Sequence, residues 1–546
     1  MTDQANGVVW HYEADIVVVG FGGAGAAAAL EAVEGGASVI AIDRFDGGGA
    51  TAMSGGVIYA GDTSIQKAAG VEDTIEEMAK YLALEIGSAV SPETIIRYCR
   101  ESGPTLDWLI GLGVPYSPIL YPEKTIYPPD GSFLYYSGNE KVPEFKKHAK
   151  PAARGHRPVG PGMSGNVFYD ALKAAATRRG VKLITHSPVT RLITDAQGRV
   201  VGVEIAPIAE ADRARHAAIY NEVAPMKPFN SLPSEKAVRT AKKIESATVE
   251  RKLVRARKGV VLSTGGFSYN VDMLGEQSPF FAGTVKTLMR MGSLGDDGSA
   301  VTLGRQVGAA TKGMTSFYVG RNVSPPPAFL QGILVNAKGE RFINETAYVG
   351  AVGRAIGNQP DGVAWLVIDS GKRREAVKQA LFGGWMFLKF YGVPALLNIL
   401  FGGSKSASSA GKLAKKCGMD PAALQASVDA YNAAATAGQG DPVGKASEYT
   451  KPLSGKLHAL NFSITNLLAF TQFFTLGGLS VAEDDGAVLR TDGSRIEGLY
   501  AAGRSAYGLC SNGYISGLSI GDCVFTGRRA ARSLLQKNAP LTQAAS

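Results

Sequence analysis

Cysteine is scarce in this chain: 4 residues in 546, at Cys99, Cys417, Cys510 and Cys523, with no CxxC pair. A disulfide framework, a zinc site or an iron–sulfur centre needs more thiols at closer spacing. Free thiols are therefore expected, and no metal site. The opening stretch MTDQANGVVWHYEAD has no basic start, apolar core or small-residue cleavage site, so nothing in it reads as a secretory signal and a cytoplasmic protein is expected. The formal charge of +9 is spread along the chain, with part of it concentrated in 208–258, and no nucleic-acid module accompanies it. Nucleic acid is thus not an expected partner. A solvated basic surface is, and a bound anionic cofactor would offset some of its charge.

Long apolar runs are also lacking, with one exception. LFGGWMFLKFYGVPALLNILFGG, residues 381–403, approaches the roughly 20 residues that a membrane span needs. Lys389, Pro394 and glycines at both ends argue against a span. A buried or lid helix pair is expected there; an apolar mouth for a lipophilic substrate and a weak contact with a membrane surface are the other readings.

Glycine is abundant, at 68 residues, and 45% of the chain is hydrophobic. That is enough for a sizeable core and more than one domain, with many tight turns. ADIVVVGFGGAGAAAALEAVEGGASVIAIDR, residues 14–44, reads as a strand, a GxGxxG turn through Gly20, Gly22, Gly23, Ala24 and Gly25, an alanine-rich helix, and a second strand closing on Asp43 and Arg44. Gly20 permits the turn, Gly22 lets the backbone approach a pyrophosphate, and Gly25 allows close helix packing. The helix N-terminus faces the phosphates, and Asp43 accepts from ribose hydroxyls. Strand, helix and acid agree, so the motif predicts a dinucleotide site.

A second glycine-rich stretch follows, RFDGGGATAMSGGVIYAG, with Gly49, Thr51, Ala52, Ser54, Gly55 and Gly56 able to line a long, flat cofactor. This loop resembles the one that wraps the FAD diphosphate in the fumarate reductase and succinate dehydrogenase flavoprotein superfamily. Three further segments fit the same resemblance: the two-strand unit of residues 179–205, whose backbone at Val189 would contact adenine; RKGVVLSTGGF with Thr264 and Gly265; and IEGLYAAGRSAYG with Gly503 and Arg504 near the ribityl and phosphate region. The resemblance implies an α/β fold: a Rossmann-like FAD-binding domain of the GR2 type over 10–275 and 468–540, interrupted by an inserted α+β catalytic cap over 276–467. It also implies FAD, held non-covalently because no histidine sits in the glycine-rich loop. Residues 206–257, charged and with a proline-containing middle, read as an excursion on the FAD domain without recognisable chemistry.

The cap does not show the arginine and histidine pattern with which fumarate reductases hold a dicarboxylate. Arg321 and Arg341 are present but do not match it, and the chain has 6 histidines. Phenols and hydroxyls stand there instead: Tyr318 in MTSFYVGRNVSPPPAF, and Tyr514 and Ser516 in SNGYISGLSIGDC. These segments resemble the 3-ketosteroid dehydrogenases, in the branch that acts on the C4–C5 bond of 3-keto-5α-steroids. The resemblance implies that Tyr514 hydrogen-bonds the C3 ketone, Ser516 removes the C4 proton and Tyr318 relays it, while Gly517, Leu518 and Ser519 open a helix toward the flavin. A lipophilic 3-ketosteroid and an unidentified electron acceptor would be the partners. Independently, α-proton removal beside a ketone needs a donor to the developing enolate, and a phenol suits that task. Dehydrogenation at C1–C2 is the nearest alternative, but that branch carries a glycine four residues after its tyrosine, where Leu518 stands here. An electron-transfer subunit and a non-catalytic steroid-binding protein are the other readings.

Overall fold

A computed structural model describes residues 2–3, 8–223, 231–382, 388, 392–437 and 441–536. The nucleotide-binding part is built on an eight-stranded sheet. Its elements are β1 (Tyr12–Val19), α1 (Gly23–Glu34), β2 (Val39–Ile42), β3 (Lys182–Ile184), β4 (Val189–Thr194), β5 (Val200–Ile205), α2 (Glu210–Glu222), α3 (Ser231–Ser246), β6 (Lys252–Leu262), β7 (Ala487–Leu489), β8 (Arg495–Ala501) and α4 (Leu518–Gln536). Strands β3, β2, β1, β6 and β8 run parallel across the centre. Strand β6 is 11 residues long, and one edge of it serves two neighbours: its first half pairs antiparallel with β5 and its last residues pair with β8.

The sequence explains the packing. Ile16, Val17, Val18 and Val19 are buried on both faces of the sheet, as an uninterrupted apolar run in a central parallel strand must be. The alanines of α1, from Ala26 to Ala29, are fully buried, and their small side chains let α4 come close. A side chain at Gly527 of α4 would meet the Ala24 carbonyl at 2.4 Å. Arg528 and Arg532 of α4 secure the contact on Glu31 of α1, at 2.5 and 2.7 Å. Strands β4 and β5 form the expected antiparallel pair, with Leu192 opposite Val203.

The inserted region carries a four-stranded antiparallel sheet, in the order Ile333–Val335, Trp365–Asp369, Leu457–Asn461, Lys405–Ala407. Beside it is a three-stranded sheet in which Thr471–Thr475 lies between Leu288–Arg290 and Phe317–Gly320. Arg341 is committed to the interior of this region. It forms a bidentate pair with Glu345 and reaches Asp441 at 2.7 Å, while Lys445 reaches Glu345 at 2.7 Å. Glu345, Asp441 and Lys445 are fully enclosed side chains, so the cluster locks the 336–345 loop onto 441–445 and keeps Arg341 and Lys445 from a substrate carboxylate.

The apolar run of 381–403 lies partly outside the described residues, at 383–387 and 389–391. Its flanks are the ends of the helices Ser370–Phe382 and Val393–Phe401. No described helix is long and apolar enough to cross a membrane. Phe382, Leu400 and Phe401 are exposed, whereas Asn398 and Ile399 face inward, so the described part is half core and half surface.

Removing one partner from a buried ion cluster strands the others, at a cost of about 3 to 5 kcal/mol. Glu345→Gln is therefore expected to lower unfolding stability by an amount in that range, measured by denaturant titration. A loss below about 1 kcal/mol, the level of an exposed ion pair, would mean that the cluster does not hold the cap together.

Candidate active site

One groove of about 870 Å³ runs between the two parts of the chain. Its floor is the first βαβ unit, where Gly20, Gly22, Gly23 and Ala24 line it at the N-terminus of α1. Asp43 and Arg44, at the end of β2, line it next; then come Gly49, Thr51, Ser54, Gly55 and Gly56 of the second glycine-rich loop, Val189 from β4, and Thr264 and Gly265 after β6. Arg504, Gly517 and Ser519 complete the cofactor residues expected from the sequence. Four others stand behind the wall. Gly25 allows the close approach of α1 to the turn, since a side chain there would strike the Gly20 carbonyl at 1.9 Å. Gly503 packs between Ala24 and Cys523, Leu518 is fully buried, and Ala52 closes the short helix Gly49–Ala52.

The groove suits a dinucleotide on two independent observations. A Cβ added at Gly22 would meet the Gly48 carbonyl at 3.6 Å, an ordinary contact, so the protein by itself does not demand glycine there. Arg504 is fixed by Asp296 at 2.7 Å through Nη2, while its Nη1 is buried with no hydrogen-bond partner among the described residues. A buried, unpaired donor is costly unless a ligand meets it. Asp43 accepts from the Phe21 and Phe45 amides at 2.7 and 2.8 Å, which orients its carboxylate and leaves acceptor capacity for a ribose. Burial pushes the Asp43 carboxyl up, against the amides that favour its charge. No histidine is among the described lining residues.

At the other end, three segments bring phenols together. Tyr318 sits in the strand Phe317–Gly320, opposite Phe474 in register. The two rings stack at 4.6 Å, and the Tyr514 ring meets both edge-on, at 4.7 and 5.0 Å. Tyr514 and Ser516 are held in place by the turn that carries them. Gly517 has a φ of +96°, which side-chain-bearing residues rarely adopt, and a Cβ there would strike the Tyr59 amide nitrogen at 2.9 Å. The Tyr59 amide donates to the Gly517 carbonyl at 3.1 Å, so the turn is bound to the strand Ile58–Tyr59 just before α4 begins.

Tyr318 does not contact Ser516 as a relay would require; its hydroxyl donates to Gln472 Oε1 at 3.2 Å. The neighbour of Ser516 is Tyr135, a residue the sequence does not single out, with its hydroxyl 3.1 Å from Ser516 Oγ. Tyr135 also donates to the Ile126 carbonyl at 3.1 Å. A phenol has one proton, and a carbonyl can accept but not donate. The Ser516 hydroxyl must then donate to Tyr135, which turns its lone pairs away from that ring. Ser137 Oγ donates to the Ser516 carbonyl at 2.9 Å and fixes the backbone as well. Tyr348 is a second residue missed from the sequence; it lines the groove beside Tyr318, and its amide donates to Asn139 Oδ1 at 2.7 Å. Burial holds the phenols of Tyr135, Tyr318, Tyr348 and Tyr514 well above the ordinary tyrosine range, so all four keep their protons near neutrality. Cys523 also lines the groove, with its thiol pushed up to about 12 by burial, and Cys510 lies beside it, raised for the same reason.

A nucleotide groove at the N-terminus of α1 that opens into a phenol-lined pocket under a cap defines a flavin-dependent oxidoreductase. The chain belongs to the FAD binding domain family, which matches residues 15–517. Within that family, it is 37% identical over 512 residues to the 3-oxo-5-alpha-steroid 4-dehydrogenase of Comamonas testosteroni, covering 92% of this chain and 94% of that one. It is also similar to the solved 3-ketosteroid-delta4-(5alpha)-dehydrogenase of Rhodococcus jostii RHA1 in complex with 4-androstene-3,17-dione, with a TM-score of 0.79 and 32% identity, over 98% of this chain and 99% of that one. A 3-oxosteroid 1-dehydrogenase of Mycolicibacterium smegmatis is 26% identical, covering 95% of this chain and 96% of that one.

Because a Cβ at Gly22 would make only ordinary contacts with the backbone of Gly48 and Gly49, Gly22→Val is expected to fold with its unfolding temperature little changed from that of wild-type apoprotein, yet to purify colourless. The flavin absorbance per chain, read beside the thermal transition, checks this. A variant that stays as yellow as wild type would remove Gly22 from the diphosphate site.

Proposed function

We propose that the protein is an FAD-dependent 3-ketosteroid Δ4-(5α)-dehydrogenase, which takes a proton from C4 and a hydride from C5 of a saturated 3-keto-5α-steroid to leave the 4-ene. The observation that carries this reading is a single turn that presents a protonated phenol, Tyr514, and an oriented hydroxyl, Ser516, to one groove. Bound FAD supplies the hydride acceptor.

The protein's own part is to make the C4 proton labile. The Tyr514 phenol donates to the C3 oxygen, and because burial keeps it protonated it meets the charge that builds there with a hydrogen bond already in place. Ser516 Oγ receives the C4 proton through the lone pairs that Tyr135 leaves free. A serine hydroxyl is a weak base, so proton removal must proceed together with the rise of charge on the C3 oxygen. As Ser516 gains the C4 proton, its own passes out of the groove to solvent, because Tyr135 is already protonated and the Ile126 carbonyl cannot take its proton. Tyr135 is in this reading a positioning residue, and Tyr318, stacked on Phe474 and edge-on to Tyr514, sets the attitude of the donor ring. The same aromatic surfaces exclude water from the reacting carbons.

The exposed Phe382, Leu400 and Phe401 support a further reading, a weak contact with the lipid surface that carries such a substrate. Flotation of the protein with anionic phosphatidylglycerol vesicles is expected, and Phe401→Ser should reduce it. Equal flotation of the two proteins, or none of either, would exclude the contact.

The reaction is tested by anaerobic mixing with a saturated 3-keto-5α-steroid, following flavin bleaching and identifying the product. Tyr514→Phe is expected to slow bleaching by roughly a hundredfold to a thousandfold, as loss of one preorganised donor does. Ser516→Ala is expected to abolish it nearly completely, with steroid binding kept. Tyr135→Phe should lower the rate about tenfold, the size of one hydrogen bond, at unchanged steroid affinity. Rates within threefold of wild type in Tyr514→Phe and Ser516→Ala would refute the assignment, and a 1-ene product would replace it by the C1–C2 reaction.

A further inference from the structure

The connection between β5 and β6 is out of proportion to its task. These strands are antiparallel neighbours, which two residues can join, yet 206–251 intervene, with α2 and α3 within them. The two helices bury Ile219, Val223, Ala237, Ala241 and Ile244 around Phe45, the residue that follows Asp43 and Arg44 at the end of β2. Phe45 lies between His216 and Tyr220 of α2, with ring centroids at 4.4 and 4.7 Å.

A polar chain runs through the same contact. Asp46 meets His186 at 2.9 Å, His186 meets His216 at 3.1 Å, and His216 meets Glu245 of α3 at 3.0 Å. Glu245 holds Arg44 by two hydrogen bonds, at 2.6 and 3.1 Å, and Arg44 continues to Asp297 at 2.7 Å. Burial pushes the Glu245 carboxyl up, but Arg44 and His216 outweigh it and hold the group below its usual range. Its charge is therefore kept. Glu245 and Tyr220 both line the cofactor groove.

We propose that α2 and α3 form a clasp over the adenosine end of the groove, in which Glu245 and Tyr220 contact the AMP half of FAD. The chemistry selects that half. An ionised carboxylate repels the diphosphate but accepts from ribose hydroxyls or the adenine amino group, and the Tyr220 ring offers a flat apolar face. Asp43, placed by the dinucleotide fingerprint at the ribose, and Val189 line the groove at the same end. The Asp46-to-Asp297 chain ties the helices to the strand ends.

The test uses the full-length apoprotein and two flavins that differ in the AMP half alone. Glu245→Gln and Tyr220→Leu are expected to raise the dissociation constant for FAD about tenfold or more, the worth of a hydrogen bond to a charged group, while that for FMN stays within about twofold. Fluorescence quenching reports both. In the wild type, ADP should slow tryptic cleavage at the exposed Arg215, Lys236, Arg239 and Lys242, and FMN should not; this measurement stands even where a variant folds poorly or FMN binds too weakly to measure. FAD binding changed less than twofold in both variants, equal weakening of FAD and FMN, or no protection by ADP would overturn the clasp.

Discussion

The site depends on the seating of the Gly517 carbonyl on the Tyr59 amide. That bond fixes the turn at a backbone angle that other residues rarely adopt, and three consequences follow from the one contact. Helix α4 starts beside the groove, Tyr514 projects toward Tyr318, and Ser516 reaches Tyr135. A larger residue at 517 would push the turn off the Ile58–Tyr59 strand and move all three together. The chemistry is in this sense a property of one backbone conformation, and the side chains exploit it.

The two ends of the groove are built by different physics. At the nucleotide end, backbone amides, glycines and one helix terminus leave room for a ligand and supply its counter-charges, so little side-chain specificity is needed. At the substrate end, the protein uses large aromatic side chains whose polar tips are kept neutral by burial. A neutral donor loses less on being desolvated than an ionised one, so phenols can sit against an apolar substrate where arginines could not. The enclosed Arg341 cluster makes the same point from the other side: Arg341 and Lys445 are paired within it, away from the site.

The nucleotide end was legible in the sequence because its signals are local. Gly20, Gly22, Gly25 and Asp43 sit at spacings that one βαβ unit imposes; in the structure Gly25 packs against the turn and the other three line the groove. Tyr514 and Ser516 were legible for a similar reason, since two reactive groups among glycines ahead of a helix stand out in a short window. Tyr135 and Tyr348 were not. Each belongs to an unremarkable stretch and acquires its position through pairing with distant segments: Tyr135 through its strand's contact with Gly155–His156, Tyr348 through Asn139. The excursion 206–257 was unreadable on the same ground. Glu245 gains meaning from Arg44, some two hundred positions away, and no periodicity in its own helix announces that partner.

The cysteines beside the groove give the site one further property. A flavin that meets dioxygen is a local source of peroxide, and the species peroxide attacks is the thiolate. Cys523 lines the groove and Cys510 adjoins it, yet burial keeps both in the thiol form, so sulfur stands next to an oxidant without being a good target for it. The same desolvation that keeps the phenols protonated for chemistry thus also keeps the thiols beside the groove un-ionised.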